Sequence, residues 1–183
     1  MLRNSTTAWG SVARGFHWGM AVLVGVQLAL GAMAVTWRVS PAKVELFFWH
    51  KSLGFLIFAL LALRLAWRAV DRAPPLPAAM PDWERTAARA NQALLYALLA
   101  LLPLSGWIVN SAANVPFRIF RIVPLPAIVP PDEAVTRAFA RVHLGFAMLL
   151  LLAVAAHAGA AWRHHRVRRD DVLARMLPWG GRT

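Results

Sequence analysis

Apolar side chains in this chain do not alternate with polar ones; they run together in four long blocks separated by polar, proline-bearing segments. The blocks cover about 16–36, 46–70, 90–111 and 139–162. A helical bilayer crossing takes roughly 20 residues, so each block is long enough. Each is apolar nearly all round rather than along one stripe, as a helix bathed in lipid should be. The pattern predicts an all-α fold, a transmembrane up-down four-helix bundle, forming one domain over residues 1–183 with no internal repeat. Pro103 within the third block predicts a kink. The connections Ala73-Pro74-Pro75-Leu76-Pro77 and Pro124 to Pro131 read as extended linkers. The segment of about 112–135 is long enough to cover one end of the bundle.

Composition agrees with a membrane location. Apolar residues make up 59% of the 183 residues, against about 45–50% in an average soluble domain. There is no cysteine, which excludes disulfides, thiolate metal sites and thioether-linked haem. A net charge of +12 on a soluble chain would point first to nucleic acid. Here the basic residues flank the apolar blocks, so the expected partner is the lipid bilayer and no nucleic acid is expected. On one side fall 13 of them, the N-terminal segment, the second connection and the C-terminal tail together; the other side has 7. The positive-inside rule then predicts both termini in the cytoplasm. Tryptophans follow the same layout, with Trp18, Trp67 and Trp162 at the inner edge and Trp37, Trp49 and Trp107 at the outer. The first block also has features of a signal peptide, with Arg3 and Arg14 before it and Ala32-Met33-Ala34 near its end. Its apolar core exceeds the usual length of about 7–15 residues, which favours a retained span.

Candidate chemistry comes from histidine. Four of the six histidines, His17, His50, His143 and His157, sit near the ends of apolar blocks. His143 and His157 are 14 residues apart on one predicted helix. Fourteen steps of about 100° make nearly four turns, so both rings point roughly the same way, about 21 Å apart in depth. In an up-down bundle, depth pairs His50 with His143 near the outer face and His17 with His157 near the inner face. A lone intramembrane histidine is commonly just a hydrogen-bond partner for a neighbouring helix. Two depth-matched pairs are harder to explain that way. One tetrahedral metal site needs its ligands together; two layers with two nitrogens each describe two six-coordinate b haems.

Small residues near these histidines make room for a macrocycle or simply let helices approach. They are Gly54, one turn after His50, Gly145 after His143, and Gly159 after His157. Gly31 lies 14 residues from His17, on nearly the same face at the depth of the outer pair. Arg64 lies 14 from His50, near the inner pair. An arginine there is suited to a haem propionate or a quinone headgroup, or else snorkels to lipid headgroups.

Ordered motifs carry a family resemblance. They are Arg14-Gly15-Phe16-His17-Trp18, His50-Lys51-Ser52-Leu53-Gly54, Leu95-Tyr96 and Pro103-Leu104-Ser105-Gly106-Trp107. Then come His143-Leu144-Gly145, His157-Ala158-Gly159, and a tail from His164-His165 through Asp170 to Arg175-Met176-Leu177-Pro178. Together they resemble the prokaryotic cytochrome b561 family over nearly the whole chain. The resemblance implies a four-helix, two-haem b cytochrome of the bacterial inner membrane, with haem iron held by His17, His50, His143 and His157. One departure stands out. Many members have a histidine four residues before the tyrosine that matches Tyr96, and here Gln92 occupies that place. The depth pairing does not require it.

Some members of that family are superoxide oxidases, which pass electrons from superoxide outside to ubiquinone. The outer segments here carry 7 basic residues against Glu45, Asp132 and Glu133, a net of +4, which would steer a small anion toward the outer haem. Lys51, beside His50, is the candidate guide. Candidate quinone contacts at the inner edge are Arg64, Trp67, Trp162 and His164; His164 and His165 equally suit a basic tail on anionic lipid. Two other classes stand beside this one. A non-catalytic carrier or anchor subunit would relay electrons between quinol and a periplasmic redox partner. A transporter would use the histidines for protons or metal, and usually shows paired repeats.

Overall fold

The computed structural model describes residues 1–77 and 79–177. Pro178 of the tail motif and Arg182 of the charge count lie outside the described residues. Four helices dominate: α1 (Ser11–Thr36), α2 (Pro41–Val70), α3 (Asp82–Ala112) and α4 (Glu133–Arg163). All four are long and apolar enough to cross a membrane. They form the expected all-α, up-down transmembrane bundle.

Each helix begins several residues before its apolar block. The extra turns lie at polar ends where capping takes over. Ser40 caps α2 by accepting from the Lys43 N–H, with Pro41 in the first turn. Asp132 caps α4 by accepting from the Val135 N–H at 2.9 Å. α3 places Asp82 and Glu84 in its first turn, on the favourable side of the helix dipole. α3 runs on through Pro103 as one helix. Beyond α4 the backbone widens into a π turn, His164–Arg168, which Arg169 ends in the left-handed region at φ 55°.

Close backbone packing joins α1 to α2, α2 to α3, and α3 to α4. Among the described residues α4 does not approach α1 or α2 as closely. Met20, Ile57 and Leu61 make a small buried cluster, with Leu98, Leu150 and Ala153 in another. Large side chains such as Val22, Leu144 and Leu152 stay exposed, as expected when lipid rather than water surrounds them. Lipid tails are as apolar as leucine, so polar contacts between helices add directional holding, on the order of 0.6 kcal/mol each. Gln27 Nε2 donates to the His50 carbonyl at 2.7 Å, and Asn91 Nδ2 to the Ala153 carbonyl at 3.3 Å.

The two ends of the bundle are built differently. At one end, the segment between α3 and α4 forms an antiparallel hairpin, β1 (Phe117–Ile119) with β2 (Val123–Leu125). It was expected as an extended linker only. Its turn holds Phe120 and Arg121 at φ 50° and 62°, a conformation that favours Gly or Asn, so the usual turn signal is missing. Pro124 fits because a two-stranded ribbon is all edge. The Ser52 hydroxyl, fully buried on α2, accepts from the Phe120 N–H at 3.1 Å and pins the hairpin down. Trp107 donates to the Pro126 carbonyl at 2.8 Å.

The N-terminal segment and the tail up to Leu177 meet at the other end. The Asn4 N–H lies 3.1 Å from one Asp71 carboxylate oxygen, and Asn4 Nδ2 donates to the Arg72 carbonyl. Trp18 Nε1 donates to the Met176 carbonyl at 2.8 Å. Glu84, 7% exposed, accepts from Arg163 at 2.8 Å and from Arg168 at 2.7 Å. This fork ties the start of α3 to the end of α4 and its π turn. Hydrogen bonds to charged groups contribute about 1.5–3 kcal/mol, and both guanidiniums keep some solvent contact. Glu84→Ala is therefore expected to destabilise the protein, measured as a lower thermal midpoint in detergent. An unchanged midpoint would show the fork to be a surface pairing of no consequence.

Candidate functional site

α4 carries one member of each histidine pair. The His143 ring faces His50 of α2, with ring centroids 6.1 Å apart and planes at 77°. The His157 ring faces His17 of α1 at 6.0 Å and 61°. The first pair lies toward the hairpin end, the second toward the end where the N-terminal segment and the tail meet. These are the pairs that depth alone predicted. Among the described residues no three of His, Cys, Asp and Glu come together as a metal cluster, so the chain offers its imidazoles two at a time.

The spacing fits a metal between the rings. Two metal–imidazole bonds of about 2 Å and two ring radii of about 1.2 Å give a centroid separation of roughly 6.4 Å. Both pairs fall within half an ångström of that. The pairs also bridge α4 to the two helices it does not pack closely, where a flat macrocycle needs room.

Hydrogen bonds orient the hairpin-end pair. His143 Nδ1 lies 2.9 Å from Ser105 Oγ, whose own hydroxyl donates to the Leu102 carbonyl at 2.9 Å. His50 Nδ1 lies 3.3 Å from the Gln27 carbonyl. Glycines let the rings approach. A Cβ on Gly31 would stand 2.9 Å from His50 Cε1, and one on Gly106 would stand 3.3 Å from His143 Cε1. A Cβ on Gly54 would meet the Gln27 amide at 3.1 Å, while Gly145 and Gly159 face open space. Gly54 thus makes way for a helix-tying amide, and the two α4 glycines leave volume free.

At the terminal end, Arg64 Nη2 lies 3.5 Å from His17 Nδ1, and Arg64 Nε donates to the Tyr96 hydroxyl at 3.3 Å. Arg68 lies over the same Tyr96 ring and donates to Gln92 Oε1 at 3.3 Å. Gln92 therefore serves as a neutral acceptor for Arg68. Arg64, Trp67, Arg68 and Tyr96 line a small cavity with Asn4 and Asp71. Trp67 Nε1 is buried there with no hydrogen-bond partner among the described residues. Beside it an apolar groove of about 270 Å³ runs past Phe16, Gly19, Met20 and Leu60.

Two of the expected inner-edge residues lie outside that cavity. Trp162 is 58% exposed, with the Arg166 guanidinium 4.8 Å from its ring. His164 is buried in the π turn, its Nδ1 2.6 Å from Asp170 Oδ2. At the hairpin end, Lys51 Nζ donates to Asn110 Oδ1 at 2.7 Å and sits 5.3 Å from the Phe117 ring. It is held at the hairpin rather than free in solvent. Sequence reasoning did not single out Ser105, Gly106, Gln27 or Asn110 as site residues. Ser105 and Gly106 lay in a quoted motif, but nothing local told that the third helix faces His143 38 residues on.

A four-span bundle that presents imidazoles in facing pairs defines a class, the membrane b-type cytochromes. A family model of prokaryotic cytochrome b561 matches residues 8–179. Cytochrome b561 homolog 2 of Escherichia coli (strain K12) is 31% identical over 181 residues, covering 95% of this chain and 93% of its own. Cytochrome b561 homolog 1 of the same organism is 29% identical over 131 residues, 70% of this chain and 73% of its own. The chain belongs to the prokaryotic cytochrome b561 family, and is a multi-pass membrane protein of haem b electron transfer.

Proposed function

We propose that the chain holds two b haems, one between His50 and His143 and one between His17 and His157, and passes electrons from superoxide to ubiquinone. The observation that carries the haem reading is the spacing of the two pairs, 6.1 and 6.0 Å; the basic hairpin end and the donors around Arg64 support the choice of superoxide and quinone. The bundle sits in the bacterial inner membrane as one domain, with both termini cytoplasmic and the hairpin end periplasmic, following the basic-residue count. Held by two histidines, a b haem would supply a one-electron relay rather than an oxygen-binding site.

The chain's own residues do the rest. At the hairpin end, Lys51 offers a fixed cation beside His50, and Asn110 and Phe117 hold it in place. Arg121 is paired with Glu45 at 2.7 Å, whereas the partners of Lys51, Asn110 and Phe117, are neutral. At the terminal end, Arg64 and the Trp67 N–H offer donors for a quinone carbonyl or a haem propionate. The apolar groove past Phe16 suits an isoprenoid tail. Trp162, exposed near the end of α4, stands at the lipid boundary where a quinone arrives, and His164, buried two residues on, is held by Asp170. Two superoxide ions each give up one electron and leave as oxygen. One ubiquinone takes both electrons and two cytoplasmic protons and becomes ubiquinol.

The test is superoxide-driven ubiquinol formation by the purified, haem-loaded protein. The expected rate is well above uncatalysed dismutation. It should fall as salt rises, because the Debye length shrinks from about 30 Å at 0.01 M to about 8 Å at 0.15 M. Lys51→Gln should lower the low-salt rate by about tenfold and flatten the salt dependence. Absence of turnover in the wild type would sink the enzyme reading. A carrier or anchor subunit between quinol and a periplasmic redox partner would then remain.

A further inference from the structure

The two histidine pairs match in spacing but differ in what touches the second ring nitrogen. At the hairpin end both rings meet acceptors. Ser105 Oγ lies 2.9 Å from both the Leu102 carbonyl and His143 Nδ1; the carbonyl can only accept, and a hydroxyl that donates to it is left to accept from His143 Nδ1, the tautomer that frees Nε2 for a metal. The Gln27 carbonyl can only accept, so His50 Nδ1 also carries its hydrogen. Both rings are therefore fixed with Nε2 as the lone-pair nitrogen. At the terminal end the Arg64 guanidinium stands 3.5 Å from His17 Nδ1; it only donates, and at that distance it acts as a nearby charge rather than as a hydrogen-bond partner that fixes the tautomer. Among the described residues no acceptor lies within hydrogen-bond reach of His17 or His157.

That difference has an electronic consequence once the pairs hold haem, the reading on which this inference rests. An acceptor on Nδ1–H makes the imidazole a more basic ligand and favours the oxidised metal. A cation close to the ligand favours the reduced state, in which the centre carries one positive charge fewer. We infer that Ser105 and Arg64 are positioning residues of opposite sign, Ser105 lowering the potential of the hairpin-end haem and Arg64 raising that of the terminal-end haem. With haem bound, these two residues would together favour electron passage from the hairpin end toward the terminal end, a one-electron exchange that needs no proton or further reactant.

Neighbouring charges leave this assignment standing. Lys51 is a cation beside His50 in wild type and variants alike, so it offsets the hairpin-end potential by a constant amount and leaves the sign of the shift expected of each Ser105 variant unchanged. Arg64 points into the bundle, and the carboxylate sharing its cavity, Asp71, is engaged by the Asn4 N–H. Arg68 stacks on Tyr96 beside Arg64 and adds to the positive side.

A spectroelectrochemical titration of the haem-loaded protein tests this directly. Wild type should show two one-electron waves, and His143→Ala should remove one of them, which assigns the waves to the ends. Ser105→Ala should shift the hairpin-end wave upward by about tenfold in the one-electron equilibrium, 59 mV, and leave the other wave in place. Ser105→Thr keeps the hydroxyl and should restore the wild-type value. If Ser105→Ala fails to take up haem, Ser105→Cys, a poorer acceptor, should still give an upward shift. Arg64→Gln should shift the terminal-end wave downward by a similar factor, and Arg64→Lys should keep most of the wild-type value. Waves that stay put, or move the other way, overturn the inference. A wild type with one haem, or a His143→Ala protein that keeps both, overturns the haem reading itself.

Discussion

Replacing His143 with Ala is expected to halve the haem content, from two per chain to one, and to abolish electron passage between the ends. The physical reason lies in the separation of the pairs. His143 shares its site with His50, while His17 and His157 face each other from α1 and α4 at the far end. Removing one imidazole leaves its haem with a single axial ligand and the Ser105 hydroxyl without its donor. Nothing at the terminal end changes. His157→Ala should give the mirror result, with the hairpin-end haem retained. Haem-to-protein ratios and the reduced spectrum of each variant check this. Loss of both haems from either variant would show that the two sites do not form independently.

Gly31→Val is expected to empty or misalign the hairpin-end site although Gly31 is not a ligand. The first side-chain carbon alone would stand 2.9 Å from His50 Cε1, and a branched side chain fills more of the same space. α1 and α2 cannot simply part, because Gln27 and His50 exchange two hydrogen bonds across them. The ring must turn away from His143. Changes in groups that orient a metal ligand commonly cost about 10–100-fold in affinity, and a similar loss of haem affinity is expected here. Gly25→Ala is the control on the same helix, since a Cβ there meets nothing within 4 Å. It should bind haem as wild type does. Equal haem affinity in Gly31→Val and wild type would mean that the close approach has no role in seating His50.

Much of the fold was legible because lipid imposes a simple rule. A segment that crosses hydrocarbon must satisfy its own backbone, so a long apolar block has to be a helix. That rule located four helices without their partners being known. It said little about where each helix stops, since the extra turns of α2 and α4 depend on Ser40 and Asp132 as caps outside the bilayer. It gave no hint of the hairpin, whose turn places Phe120 and Arg121 in a conformation their residue types do not advertise.

The histidine pairs were legible for a related reason. Helix rise converts residue number into depth, and alternating direction converts depth into pairing. Any residue near a span's end can be placed this way, Gly31 and Arg64 included. Depth does not say which way a side chain faces. Trp162 has the expected depth but looks outward, with Arg166 over its ring.

The sequence by itself thus determined the four spans, the family, and which histidines share a level, all quantities that follow from distance along one helix axis. Only the tertiary structure decided what surrounds each ring. Rotation and tilt of neighbouring helices bring Ser105 to His143, Gly31 under His50, and Arg64 to His17. Such contacts join residues tens of positions apart, through packing that no local pattern encodes.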